Sequence, residues 1–325
     1  MIPAFIAIGA LLGVCLVVYL VGSFIIYRMA FWNNRKNDDI SREVMAGEQY
    51  DPYHDFMAQT IENAHAIPVT EEIRIPAYDG GTLYAKYYRI ADGAPVCLLF
   101  HGYKGEGLRD FGGGLKMVTE SGYNAILVDE RGHARSRGRT ITFGIKERRD
   151  VASWVRYAAE RFGKERPLFL VGISMGAATV LMASDMELSG NVCGILADCP
   201  YSTPEDIILH TARDMGIHTR FVKPFLYGAA FLFGHFRLRE TDAVRAVAGA
   251  KYPILIVHGE DDRFVPAEMS ERIAAANPAM VRRVTFPKAA HGISFVLDPE
   301  RYRTEILSFI KGHLPKQKSQ RGTEV

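Results

Sequence analysis

The sequence predicts an α/β fold built on a doubly wound, mostly parallel sheet. Three observations predict it: eight short apolar runs, helical patterns between most of them, and glycine-marked turns where several of the runs end. Strands are expected at 72–75, 82–88, 96–100, 124–128, 168–171, 193–197, 254–257 and 282–286. Apolar residues at helical spacing fall between them, as in Val151, Trp154, Val155 and Ala158, and again in Tyr302, Ile306, Phe309 and Ile310. Such alternation makes a parallel sheet with helices on both faces. The first two strands, joined by Asp79-Gly80-Gly81, read instead as an antiparallel hairpin. The residues after the amino-terminal region suffice for one full core.

The fifth run ends in Gly172-Ile173-Ser174-Met175-Gly176 and leads into the small-residue helical stretch 177–183. A strand, a G-x-S-x-G turn and a helix together form the context of a nucleophile elbow. A serine on so tight a turn takes strained backbone angles, and side chains at 172 or 176 would collide with neighbouring backbone. The helix opening at Met175 aims free N–H groups at charge developing beside the Ser174 hydroxyl. A second such donor is expected from the loop after the third strand, His101-Gly102-Tyr103-Lys104-Gly105, at the backbone N–H of Tyr103. Lys104 reads as merely solvated.

A hydroxyl needs a base, and the base an orienting carboxylate. Of ten histidines, His291 alone lies in a loop past the last strand and downstream of an acidic loop. His101 and His258 precede glycine at strand ends and read as structural turns. The acidic loop, Glu260-Asp261-Asp262, follows a buried strand, at the carboxyl edge where open α/β sheets place their chemistry. The residues leave Glu260, Asp261 and Asp262 in competition, with Asp198 after the sixth strand as a fourth possibility. Asp129 and Arg131 are expected to fix their loop by hydrogen bonds, His133 to shape the pocket wall, and Cys199 to be inert without a basic neighbour.

Four blocks in order, His101-Gly102-Tyr103, Asp129-Glu130-Arg131-Gly132-His133-Ala134-Arg135-Ser136, the Ser174 turn, and His258 to Pro266 with Ala290-His291-Gly292, resemble the α/β-hydrolase superfamily. The resemblance covers about residues 70–313, and within the superfamily the chain looks like the bacterial serine hydrolases related to serine aminopeptidases, acylglycerol lipases and feruloyl-type esterases. It implies an eight-stranded α/β-hydrolase fold, a Ser174, His291 and Asp262 triad, and an oxyanion hole at Tyr103 and Met175. Ala134 departs from the pattern, since glycine usually follows the Gly-His pair; that position shapes a loop and leaves the triad untouched.

Residues 201–250 are too long for an ordinary crossover and rich in phenylalanine, and are expected to form a helical lid. An apolar lid favours acyl or aromatic substrates. From Ile2 to Tyr27 no side chain is charged, and at about 1.5 Å per residue such a helix spans the roughly 30 Å hydrocarbon core. The organisation expected is an anchor at 1–32, a polar connector at 33–69 with a helix near 55–64, the hydrolase domain at 70–314, and a disordered tail at 315–325. Phe56, Ile61 and Ala64 would rest on the body or the bilayer. Arg28, Arg35, Lys36 and Arg42 follow the span and no basic residue precedes it, so the positive-inside rule puts the body in the cytoplasm of a single-pass cell-membrane protein.

Net charge is +2 with scattered basic residues, which implies no nucleic-acid partner. The four cysteines read as reduced, and no residue set has metal-ligand spacing. The expected activity is cofactor-free hydrolysis of a small-molecule ester with short to medium or aromatic acyl groups. A serine peptidase is the rival; a pocket carboxylate that binds a free amino terminus would support it, and sequence does not place Glu205, Asp206 or Glu240 in the pocket. A non-catalytic scaffold at the membrane is the third reading.

Overall fold

The computed structural model describes residues 2–315, so the expected tail, apart from Pro315, lies outside the described residues. Eight strands form one sheet: β1 (Glu71–Pro76), β2 (Thr82–Tyr88), β3 (Val96–Phe100), β4 (Asn124–Asp129), β5 (Pro167–Ile173), β6 (Asn191–Asp198), β7 (Ile254–Gly259) and β8 (Val281–Phe286). Their order is β1-β2-β4-β3-β5-β6-β7-β8; β2 pairs antiparallel with β1 and β4, and the other neighbours run parallel. Several strands run one to three residues past the apolar runs that announced them. Polar residues such as Asp129 and Asp198 continue the ladder through backbone groups, which leave no mark in the sequence.

Side-chain alternation explains why central strands look uniformly apolar. Val96, Leu98 and Phe100 point into one core with Trp154, Val155 and Leu181, whereas Cys97 and Leu99 point into a second core with Leu115, Phe309 and Ile310. Both faces are covered, so every position is apolar. β3 connects to β4 on one side while β5 continues on the other, which makes the gap between β3 and β5 the topological switch point. Crevices at that point receive ligands in open α/β sheets.

The helix Ile2–Ile26 continues as a π-helical turn, Tyr27–Phe31. Among the described residues this segment is the one helix long and apolar enough to cross a membrane. Its last turns pack on the body. A Cβ on Gly22 would meet the Phe225 ring at 2.6 Å and one on Gly228 would meet the Tyr19 hydroxyl at 2.6 Å, so two glycines permit the close crossing of this helix with Thr219–Gly228. Phe31 is fully buried between Phe143 and Phe236, both edge-on, and the chain then bridges Trp32 to Thr140.

The insert between β6 and β7 holds helices Pro204–Asp214, Thr219–Gly228 and Ala243–Ala248, with a π-helical turn at Ala229–Phe233. Within the connector, the helix His54–His65 buries Ile61 and Ala64 against the body, passing so near Gly112 that a Cβ there would meet the Ile61 amide at 3.0 Å.

Candidate active site

Ser174 sits between β5 and the helix Met175–Met182 with φ 54° and ψ −112°, a conformation that disfavours any side chain and is held here by its surroundings. Its N–H donates to the Asp198 carbonyl at 2.8 Å, which ties the turn to the end of β6. A Cβ on Gly172 would overlap the Gly176 backbone, and one on Gly176 would overlap the Phe100 carbonyl. The helix thus rests directly on the end of β3, and the two flanking glycines are sterically required.

The loop after β8 brings His291 over this turn. Its Nε2 accepts from the Ser174 hydroxyl at 2.9 Å, and its Nδ1–H donates to Asp262 Oδ2 at 2.7 Å. Asp262 is buried, while Glu260 and Asp261 are exposed. Burial pushes the Asp262 carboxyl up, but the adjacent His291 ring, hydrogen bonds from His258 and His291, and the Val265 N–H together outweigh it and hold the group well below the carboxylate range. The Phe264 and Val265 amides donate to Oδ1 at 3.0 and 2.7 Å. His258, expected to be a mere turn, stands 3.3 Å from the same Oδ2 and also bonds the Val265 carbonyl. The His258-Gly259-Glu260-Asp261-Asp262 spacing was the available signal, since four residues across one tight loop return a side chain to its start.

The loop after β3 is braced from beneath. Gly102 N–H donates to Asp110 Oδ2 at 2.8 Å, Lys104 N–H to His133 Nε2 at 2.9 Å, and Glu130 N–H to His101 Nε2 at 3.1 Å. His133 therefore supports this loop and does not line the pocket, a correction to its expected place. Burial pushes its ring well below the ordinary histidine range, which preserves the neutral form that Nε2 needs to accept. With the neighbouring amides engaged, the N–H groups of Tyr103 and Met175 donate to no group among the described residues. Lys104 is half-buried as well as solvated: its ammonium donates to the Met29 carbonyl at 3.2 Å, and burial lowers its pKa.

Two cavities meet at Ser174, Tyr103 and Phe264. The larger, about 560 Å³, takes in Tyr50, Met57, Asp198, Phe295 and Tyr302, with Glu43, Arg109 and Arg263 among its charged residues. The smaller, about 280 Å³, is lined almost wholly by apolar side chains of the insert and of the amino-terminal segment. The connector's share in the larger cavity had no sequence signal, because Tyr50 and Met57 belong to no motif. Glu205, Asp206 and Glu240 line neither cavity; they pair with Arg239, Arg272 and Arg149.

Asp198 does line the larger cavity. Its Oδ2 accepts from the Tyr302 hydroxyl at 2.8 Å, its Oδ1 is buried without a partner, and burial pushes its pKa up to about 6. Cys199 Sγ lies 3.9 Å from His291 Nε2, and Cys199, Asp262 and His291 hold potential ligand atoms within 4.8 Å of one another, a proximity that sequence spacing did not reveal. Both ring nitrogens of His291 are already engaged, and burial pushes the thiol well above its usual range. Arg131 clamps Asp150 and reaches Asp79 in the β1–β2 turn, fixing the loop after β4.

The family model described as serine aminopeptidase S33 matches residues 92–226. A Bacillus subtilis protein, the uncharacterized YqkD, is 24% identical over 197 residues, which are 60% of this chain and 65% of the relative, just under two thirds of its length. The solved Pyrococcus furiosus esterase Pf2001 superimposes with TM-score 0.59 at 21% identity, covering 75% of this chain and 91% of the esterase. The Pyrococcus horikoshii acylaminoacyl peptidase gives 0.57 at 17% identity, covering 75% of this chain and 41% of the peptidase. With the sheet order, the glycine-flanked serine turn after β5 and these likenesses together, the chain has the α/β-hydrolase fold and is similar over residues 92–226 to the serine aminopeptidase S33 family.

Proposed function

We propose that the protein is a membrane-anchored serine hydrolase that cleaves carboxylic esters of short to medium or aromatic acyl groups through an acyl-enzyme. The observation that supports this most is the unbroken hydrogen-bonded series from Ser174 through His291 to Asp262, beside two undonated backbone N–H groups. Ser174 Oγ attacks the carbonyl carbon while His291 Nε2 takes its proton. Asp262, kept ionised, stabilises the imidazolium, and the Tyr103 and Met175 N–H groups receive the oxyanion. Collapse breaks the ester bond, and the departing alcohol takes the proton from Nε2. Water then repeats the sequence on the acyl-enzyme, releasing the acid and restoring Ser174. The amino-terminal helix serves as a single-pass anchor in the cell membrane, and the basic residues that follow it favour a cytoplasmic body.

Ser174→Ala is expected to lower hydrolysis of p-nitrophenyl esters by roughly 10⁶-fold and to abolish fluorophosphonate labelling, with thermal unfolding unchanged. Retained turnover in that variant overturns the proposal. A peptidase is the second reading, and the unpartnered Asp198 oxygen in the larger cavity favours it, because a buried carboxylate recognises a substrate ammonium. The ratio of turnover on aminoacyl amides to that on acyl esters separates the two.

A further inference from the structure

The smaller cavity has an unusual wall. Ile26, Met29 and Ala30, from the end of the membrane-crossing segment, line it together with Ile207, Ile208 and Val222 of the insert. Its mouth is apolar: Met29 is 51% exposed and Met215 61%, and both line the cavity. Apolar exposure continues onto the insert at Phe221 (71%) and Phe231 (60%), beside the exposed side of the amino-terminal helix. Large contiguous patches of this kind mark contact with a membrane or a partner.

The level of the bilayer surface is given by the same segment. The Arg28 guanidinium lies 4.6 Å over the Trp32 ring and Arg139 packs on the same ring, so cation and indole sit at one height. Arginine and tryptophan at the end of an apolar helix belong to the membrane–water interface. Met29 and Ala30 lie between them in sequence, so the cavity mouth stands at that interface. The larger cavity has Glu43, Arg109, Asp110 and Arg263 in its lining and is suited to water.

Resting on the hydrolase and anchor reading above, we propose that the substrate is an amphiphilic acyl ester resident in the bilayer. Its acyl chain slides sideways out of the membrane, past Met29 and Met215, into the smaller cavity. Its polar alcohol part lies in the larger cavity and departs to water. The ester carbonyl is then held where the two cavities meet, at Ser174 and the Tyr103 amide. The anchor helix is thus part of the acyl-binding wall.

The test uses the full-length protein in phospholipid vesicles and a fluorophosphonate whose medium-length alkyl chain ends in a photoreactive diazirine. After labelling and irradiation, peptide mapping is expected to find the chain end joined to residues 26–30 or 207–222. Attachment to Tyr50, Met57 or Phe295, or capture by lipid or solvent alone, overturns the proposal. Absence of labelling at Ser174 overturns the hydrolase reading instead. As a second arm, Phe221→Asp with Phe231→Asp changes residues that line neither cavity. Turnover of a soluble short-chain ester is expected to stay unchanged, while hydrolysis of a vesicle-embedded medium-chain ester falls at least about tenfold, as loss of one or two buried phenylalanines from the bilayer requires. An unchanged rate on the embedded ester counts against membrane entry. The wild-type cross-link decides alone if the doubly substituted protein fails to fold.

Discussion

The Tyr103 hydroxyl donates to the carbonyl of Ala30 at 2.8 Å, joining the loop after β3 to the end of the amino-terminal helical segment. Carbonyls in the last turn of a helix lack amide partners, and Tyr103 and Lys104 supply donors to two of them. The residue whose N–H is proposed to receive the oxyanion is therefore fastened by its side chain to the amino-terminal helical segment. Tyr103→Phe leaves the N–H in place and removes only the tie. A hydrogen bond of this kind contributes about 0.5–1.5 kcal/mol, so the rate of phosphonate labelling is expected to fall about two- to tenfold while Tm drops by no more than a few degrees. An unaltered rate would mean that the tie does not position the loop.

Gly176→Ala is expected to cost several kcal/mol, because the new methyl meets the Phe100 carbonyl and backbone cannot turn aside. For a chain of this size each kcal/mol lowers Tm by about 2–4 °C, which thermal unfolding resolves. Gly312→Ala provides the contrast. It lies in the helix Pro299–His313 with no atom near its Cβ position, and the substitution is expected to be neutral or to stabilise by up to about 1 kcal/mol.

Asp198 and Asp262 make stability depend on pH in opposite senses. Burial raises the Asp198 pKa to about 6, against about 3.9 in the unfolded chain, so the folded state holds the extra proton. Its contribution therefore falls as pH rises from about 4 to 6, by at most about 3 kcal/mol. The Asp262 pKa is depressed, so its contribution is complete above about 3.9 and disappears as pH falls through the lower folded value. Asp198→Asn is expected to stabilise the protein more at pH 8 than at pH 4.5. Denaturant unfolding at the two values tests this, and equal effects would mean that Asp198 ionises at the same pH in the folded and unfolded chain, so that burial does not raise its pKa.

Arg131 bonds both Asp150 oxygens, at 2.5 and 2.6 Å, and both side chains are buried. Removing one member of such a pair leaves a buried charge and costs about 3–5 kcal/mol. Arg131→Met is expected to lower stability by that amount, and Asp150→Leu in the same chain to recover most of it. The two urea midpoints provide the measurement.

All eight strands were legible because their apolar runs are bounded by turn residues, and the antiparallel hairpin because Gly80 and Gly81 sit between two of them. Ser174 was legible because its strained turn demands Gly172 and Gly176, and His291 because its place after the last strand is local information. The choice of Asp262 over Asp261 was not local: it depends on which carboxylate faces inward, and only the resemblance separated them. What sequence could not supply were contacts between distant segments. His258 beside Asp262 lay within one loop, but Lys104 on Met29, Asp198 with Tyr302, and the connector along the larger cavity join residues with no shared pattern.

Phe31 adds a consequence of its own. A tether lets its cargo swivel, whereas an apolar helical segment that ends as a wedge between Phe143 and Phe236 is fixed to the body it carries. On the anchored reading the catalytic crevice keeps one height and one tilt above the lipid surface while the molecule drifts in the plane. Encounter becomes a two-dimensional search, and an ester is sampled by how deep in the leaflet it carries its carbonyl.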